Sequence, residues 1–427
     1  MEDTLRNTMS FYRTQCFKDL DPDTIESVKL DRKSLIKEVD KVISQISKEH
    51  NRALTEKIAS YISSSIADEI EGYGPLRELM EDETVSDILV NGPYKIFIER
   101  FGKLVLTPYE FLNNEQLTDI AKRMVAKVGR RIDEAQPLVD ARLPDGSRLN
   151  VVIPPIALDG TSLSIRKFGK GKKTLGNLVE YGALSEKMAN FLVIASRCRL
   201  NIIVSGGTGS GKTTLLNALS QYISTDERIV TIEDAAELRL LQPHVVRLET
   251  RMAGYEDKGH VTIRQLMVNA LRMRPERIIV GECRGEEAFE MLQAMNTGHD
   301  GSMSTLHANS PRDALYRLES MVMMANGNLP LPAIRRNITA AVNIVIQVAR
   351  LSDGSRKVIN ISELMGMEGD NVIIQDIFSY QASEERDDSN NILGDYICHG
   401  LVKRSNVYKH AVVHGLSSKL QSLFGVN

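Results

Sequence analysis

Tryptophan is absent from this 427-residue chain and aromatic residues make up 5% of it, an absence that decides nothing about function. The scarcity of cysteine is more informative. Cys16, Cys198, Cys283 and Cys398 stand singly, with no C-x-x-C pair among them. That excludes a tetracysteine zinc module and a disulfide framework, and it suits reduced thiols in a cytosolic chain. Nowhere do about eighteen apolar residues run together, so no segment reads as a membrane-spanning helix. The opening Met1-Glu2-Asp3-Thr4-Leu5-Arg6-Asn7 lacks the apolar core of a signal peptide. Basic excess is missing too. Fifty-three Lys and Arg against 56 Asp and Glu give a net charge of −3, so nucleic acid is not expected as a partner.

What remains is an ordinary globular composition, 42% hydrophobic and 26% charged, over a length that calls for more than one core. Residues 1 to about 30 are polar and mixed, and read as a mobile arm or loosely docked helices. From Ser34 to about Ile70 the residues Leu35, Ile36, Val39, Val42, Ile43 and Ile46 recur at three and four, an amphipathic helix that continues through Ile58, Ile62 and Ile66. Residues 71–168 alternate short strand patterns with turns at Asn91-Gly92-Pro93 and Pro144-Asp145-Gly146-Ser147. They also contain a helix face opened by Asn113 and Gln116, so this span reads as an α+β domain. Residues 169–174 are polar and glycine-containing, a linker. Residues 175–427 alternate apolar strands with helical segments, which implies a mostly parallel sheet covered on both faces. Asp353-Gly354 signals a hairpin, Ala382–Asn390 reads as a loop, and Met321, Val322, Met323 and Met324 read as core filler.

One octapeptide outweighs the rest. Gly206-Gly207-Thr208-Gly209-Ser210-Gly211-Lys212-Thr213 follows the apolar Ile202-Ile203-Val204 and leads into Thr214-Leu215-Leu216. Strand, glycine-rich turn and helix start together form a phosphate-binding loop. Glycines let successive backbone N–H groups curl around a phosphate, and the helix start adds orphan donors and its dipole. Lys212 is expected to reach the β- and γ-phosphates, and the Thr213 hydroxyl to hold Mg²⁺.

Three further segments narrow the chemistry. The strand Ile229-Val230-Thr231-Ile232 ends in Glu233-Asp234, carboxylates at the strand end where ligands of a parallel sheet bind. Arg277-Ile278-Ile279-Val280 ends in Gly281-Glu282, with glycine where a metal-binding aspartate normally stands. Glu282 can orient and deprotonate an attacking water, and the load of Mg²⁺ shifts to Thr213, water and Glu233. Thr297–Ala308 carries His299 and His307 among small residues. A lone histidine is more often structural than functional, and this spacing suits no zinc helix.

In this order the segments resemble the type II/type IV secretion ATPase superfamily: Walker A, an Asp box, an atypical Walker B and a His box. Gly72-Tyr73-Gly74-Pro75-Leu76, Val85–Pro93, Arg131-Ile132-Asp133-Glu134, Asp140–Pro155, Leu163-Ser164-Ile165-Arg166 and Leu271-Arg272-Met273-Arg274-Pro275 look like the CpaF-type tight-adherence pilus ATPases. The resemblance implies a RecA-like P-loop domain preceded by a smaller α+β domain and a helical segment. It also implies a homohexameric ring that hydrolyses ATP with Mg²⁺ between its two domains. Such a ring drives pilus assembly, with retraction open, through a polytopic inner-membrane platform protein. It is peripheral to the membrane, through its partners, on the cytoplasmic side. Conjugation-type secretion and a slowly turning nucleotide-gated scaffold stay as alternatives. By position, the arginines that meet the γ-phosphate fall on Arg148 and Arg166. Catalytic base falls to Glu282, the Asp-box carboxylate to Glu233, and His-box roles to His299 and His307.

Overall fold

The computed structural model of the chain describes residues 3–20, 32–168, 173–251, 259–387, 390–402 and 404–425. Contacts divide it into two units, Met1–Lys170 and Gly171–Asn427. Most of the expected linker, residues 169–172, lies outside the described residues, while Thr174 caps the first helix of the second unit.

The first unit opens with helices α1 (Asp3–Asp19), α2 (Arg32–Glu49) and α3 (Glu56–Ile70). The expected mobile arm is in part a docked helix: Met9, Tyr12 and Cys16 of α1 are buried against Leu35, Val39, Ile43, Ile62 and Ile66. Burying each such aliphatic side chain contributes about 1.5–3 kcal/mol, which polar composition alone concealed. The Tyr12 hydroxyl also donates to the Arg52 carbonyl (2.8 Å). The remainder of that arm, residues 21–31, lies outside the described residues. The periodicity from Ser34 to Ile70 belongs to two helices and not one. The backbone leaves helix at Asn51, which has φ +49°, and Thr55 caps the restart by accepting from the Ile58 N–H.

After α4 (Arg77–Glu81) come β1 (Val85–Asn91), β2 (Ile96–Arg100), β3 (Lys103–Leu106), α5 (Asn114–Ala126), β4 (Leu138–Arg142), β5 (Arg148–Val152) and β6 (Ser162–Arg166). The strands form a wholly antiparallel sheet in the order β3-β2-β1-β6-β5-β4. Its inner face (Ile88, Val90, Ile98, Leu149, Val151, Leu163, Ile165) packs with Leu117, Ile120 and Met124 of α5. The buried Glu69 of α3 locks this body to the helices, bonding Arg13 of α1 (2.8 Å) and both Gln116 (2.7 Å) and Arg123 (2.8 Å) of α5.

The second unit contains α6 (Leu175–Glu180), α7 (Glu186–Arg197), β7 (Ile202–Gly206), α8 (Lys212–Ser220), β8 (Ile229–Glu233), β9 (Val245–Glu249), α9 (Ile263–Ala270) and β10 (Arg277–Val280). It continues through α10 (Glu287–Asn296), β11 (Met303–Leu306), α11 (Pro311–Ala325), α12 (Leu331–Ala341), β12 (Ile344–Arg350), β13 (Arg356–Glu368), β14 (Asn371–Arg386), β15 (Ile392–Cys398), α13 (Asn406–Val413) and α14 (Ser417–Phe424). Nine strands lie in the order β15-β14-β13-β12-β7-β11-β10-β8-β9. The six from β12 to β9 are parallel, and the last three turn back as an antiparallel meander.

Strands β7, β8, β10 and β11 are buried at every residue, as expected of a parallel sheet covered on both faces. Two expectations need correction. Strand β14 runs through Ala382 to Arg386 because its backbone pairs with β15, where polarity had suggested a loop. On α11, Met321 and Val322 are buried but Met323 and Met324 are 50% and 64% exposed, because consecutive helical residues point to different faces.

Candidate active site

In an open parallel sheet, ligands bind outside the carboxyl ends of the strands. Four adjacent parallel strands, β7, β11, β10 and β8, end side by side here. The glycine loop follows β7, His307 follows β11, Gly281-Glu282 follows β10, and Glu233 closes β8.

The loop runs from Gly206 to the start of α8 at Lys212. A Cβ on Gly206 would fall 2.6 Å from Ser210 Oγ and inside contact of the Val348 carbonyl, so the strand end admits only glycine. Apart from its chain neighbours, no atom of the described residues lies within 4 Å of where a Gly207 Cβ would stand, so the space beside the exposed Gly207 and Thr208 is open. Gly209 and Gly211 have φ +68° and +99°, a left-handed backbone that suits glycine. Ser210 Oγ ties the turn together by donating to the Gly207 carbonyl (2.8 Å). Lys212 is buried, and its Nζ donates to the carbonyls of Gly206 and Gly207, both at 3.0 Å. Thr213 and Thr214 open α8, both half-buried. This cradle of open-sided glycine backbone at a helix N-terminus fits a polyphosphate.

Glu233 is 2% exposed. Its Oε2 accepts the backbone N–H groups of Glu237 (2.7 Å) and Leu238 (2.9 Å), while Oε1 is buried with no hydrogen-bond partner. Burial pushes the carboxyl up to about 7 against those two bonds. Gly281 explains the missing aspartate, since a Cβ there would stand 2.9 Å from Glu233 Cγ. Glu233 therefore occupies the space that a side chain at position 281 would need. Among the described residues no three His, Cys, Asp or Glu side chains converge on a metal position. A hydroxyl at Thr213 and the unpartnered Glu233 oxygen are the groups that fit an ion held mainly by phosphate and water.

Glu282 has a hydrogen bond on Oε2 alone, and its buried Oε1 faces His307 without one. Oε1 lies 2.8 Å from His307 Nε2, and Oε2 accepts from Arg284 Nε at 2.8 Å. Arg284 also approaches Asp234 (3.5 Å), and His307 Nε2 stands 3.5 Å from Lys212 Nζ. Burial and the nearby Lys212, with Arg284 and Arg317, hold His307 below the ordinary imidazole range against the pull of Glu282. The Walker A, Asp-box, Walker B and His-box segments thus meet through side chains at one sheet edge.

His299 does not join them. It precedes β11 and lies at the opposite end of that strand, its Nδ1 3.2 Å from the Ala294 carbonyl and its own carbonyl accepting from Ser302 Oγ. A parallel strand separates the residues at its two ends, so two histidines close in sequence part company.

Arg148 and Arg166 belong to the first unit. They are direct cross-strand partners on β5 and β6, exposed on the sheet's open face, and with Asp87, Asp140, Asn150 and Ser164 they line a shallow depression. Sequence reading missed Arg284, whose signal is its place two residues after Glu282. It also missed Arg356, whose Nε donates to the Gly209 carbonyl from 147 positions away with no local signal.

A glycine-rich phosphate cradle on a parallel sheet, with carboxylates at the neighbouring strand ends, defines a nucleotide-binding α/β protein. Its family is equally definite. The chain belongs to the Type II/IV secretion system protein family, whose model matches residues 69–408, and it is an ATPase. It is 39% identical over 307 residues to a putative conjugal transfer protein of Mycobacterium tuberculosis, covering 70% of this chain and 87% of that one. It is 32% identical over 328 residues to the type IV secretion system protein VirB11 of Bartonella henselae, covering 67% and 90%. Among solved structures, it is similar to the ATPase DotB of Yersinia pseudotuberculosis, with 15% identity, TM-score 0.50, and 84% and 86% of the two chains covered. No described helix is long and apolar enough to cross a membrane.

Proposed function

We propose that the chain is a secretion motor that binds ATP in the Gly206–Thr213 loop and hydrolyses it with Glu282 as general base. The observation that carries this reading is the convergence of Lys212, Glu282 and His307 at one edge of the sheet. Lys212 exchanges its two carbonyl contacts for phosphate oxygens. Glu282 gives up its Arg284 partner to accept the proton of the attacking water, a role worth about 10²–10⁴ in rate. Mg²⁺ at Thr213, with Glu233 reaching it through water, would neutralise phosphate charge. In this reading Arg148 and Arg166 supply positive charge to a γ-phosphate, an effect of about 10³–10⁵ in related chemistry.

In this proposal six copies form a ring on the cytoplasmic face of the membrane and pass their motions to a platform protein. The sequence resemblance favours a CpaF-type pilus motor. A second reading, a conjugation-type secretion ATPase, is favoured by the two relatives at 39% and 32% identity, whose names refer to conjugal transfer and type IV secretion.

The decisive experiment is steady-state ATPase activity of wild type and Glu282→Gln, each sized by light scattering. A ring that hydrolyses ATP, beside a variant ring that binds ATP and barely turns over, supports the proposal. A wild type that stays monomeric and inert rejects it. Deleting the gene and scoring surface pili against plasmid transfer separates the two readings.

A further inference from the structure

The turn at Asp353-Gly354 leads β12 back as β13, and Arg350 and Arg356 form the last cross-strand pair before it. Because β12 pairs with β7 up to Val348 and Gly206, the root of this hairpin and the root of the phosphate loop share one sheet. Arg356 Nε donates to the Gly209 carbonyl at 2.8 Å. Its Cδ lies 3.6 Å from where a Cβ on Gly211 would stand, and Arg350 Nη1 lies 3.7 Å from the corresponding point on Gly209. The Arg356 side chain therefore runs past both left-handed glycines of the loop, and the Arg350 guanidinium lies beside Gly209.

The hairpin holding them is itself pinned. Asp353 accepts the backbone N–H groups of Ser355 (2.8 Å) and Ile392 (2.7 Å), and Lys357 Nζ donates to the Gly182 carbonyl (2.7 Å).

We propose that Arg356 is a positioning residue for nucleotide binding, holding the Gly209–Ser210 peptide in the orientation that phosphate requires. A peptide unit is planar and trans, so anchoring the Gly209 carbonyl on the hairpin holds the Ser210 N–H on the opposite side, where it makes a long bond to the Gly207 carbonyl (3.4 Å) that a phosphate oxygen would replace. Glycines otherwise give the loop the widest choice of conformations, and ordering it on binding costs affinity. A charged donor on a carbonyl is among the stronger hydrogen bonds available for that task. The inference rests on the Gly206–Thr213 loop being the phosphate site.

The test is calorimetric titration of the full chain with a non-hydrolysable ATP analogue and magnesium, alongside steady-state kinetics. Wild type, Arg356→Ala, Arg356→Lys and Lys212→Ala are compared. For Arg356→Ala, Kd and KM are expected to rise about tenfold with kcat changed less than about twofold. Arg356→Lys recovers part of the affinity, since an ammonium can donate to the carbonyl but lacks the rigid fork. If Arg356→Ala melts early, Arg356→Lys carries the comparison. Wild-type affinity in both Arg356 variants, with Lys212→Ala unable to bind, overturns the inference and leaves the loop reading intact. A fall in kcat at unchanged Kd also overturns it, by assigning Arg356 to the chemistry. Wild-type affinity in Lys212→Ala would instead defeat the loop reading itself.

Discussion

His307 Nε2 lies 2.8 Å from Glu282 Oε1 and 3.5 Å from Lys212 Nζ. A neutral ring nitrogen either donates or accepts, so it cannot serve both neighbours. Of the two contacts only that with Lys212 has hydrogen-bond geometry; Glu282 Oε1 is buried without a hydrogen-bond partner and meets the ring as an ion pair when the ring is protonated. Lys212 also donates to the Gly206 and Gly207 carbonyls. His307→Ala removes the group facing a buried Glu282 oxygen, and a loss of about tenfold or more in kcat is expected, on the scale of a misplaced catalytic group. KM should move less, which steady-state kinetics will show. An unchanged kcat would remove His307 from the mechanism.

Glu233 makes stability depend on pH. Burial raises its pKa from the ordinary 4.5 to about 7, so the folded state binds the proton more tightly than the unfolded chain. Its contribution is fully present below the unfolded pKa and is lost as pH rises through the folded one, an effect of at most about 3 kcal/mol. Urea denaturation of wild type should show this decline between the two values. Glu233→Gln, which carries no such proton, should show a flatter profile there. Equal slopes for the two proteins would contradict the assignment.

Restoring a side chain at the Walker B glycine should do harm. With Glu233 Cγ 2.9 Å from a Cβ at position 281, Gly281→Ala forces one of the two to shift. Overpacking of this kind typically costs about 1–3 kcal/mol. Chemical denaturation is the check, and Gly281→Asp should be worse than Gly281→Ala.

Arg277 is fully buried at the start of β10 and holds Glu227 through two bonds, at 2.6 and 2.7 Å. Arg277→Met alone leaves the buried Glu227 carboxylate with only longer contacts, to Arg199 (3.5 Å) and the Ser224 N–H (3.4 Å), and a loss of about 3–5 kcal/mol is expected. Replacing both, Arg277→Met with Glu227→Leu, should recover most of it. A denaturation double-mutant cycle measures that coupling, and simple additivity would exclude it.

Much of this protein was written locally. The phosphate loop was readable because its glycines, its lysine and the strand before it lie within a dozen or so consecutive positions, and each has a backbone reason to be there. Glu233 and Glu282 were readable because a strand's carboxyl end is visible wherever an apolar run stops at an acid. The length of β14 was not, because β pairing is satisfied by a partner strand and tolerates polar side chains on an open face.

The nucleotide-binding loop, the parallel sheet beneath it and the family were legible from the residues alone, since each depends on periodicity or on short spacings. Three-dimensional packing sets why position 281 is glycine, where the two histidines go, that α1 is docked, and that Arg356 reaches Gly209. Those are relations between residues far apart in the chain, and no local preference encodes which distant side chain will arrive.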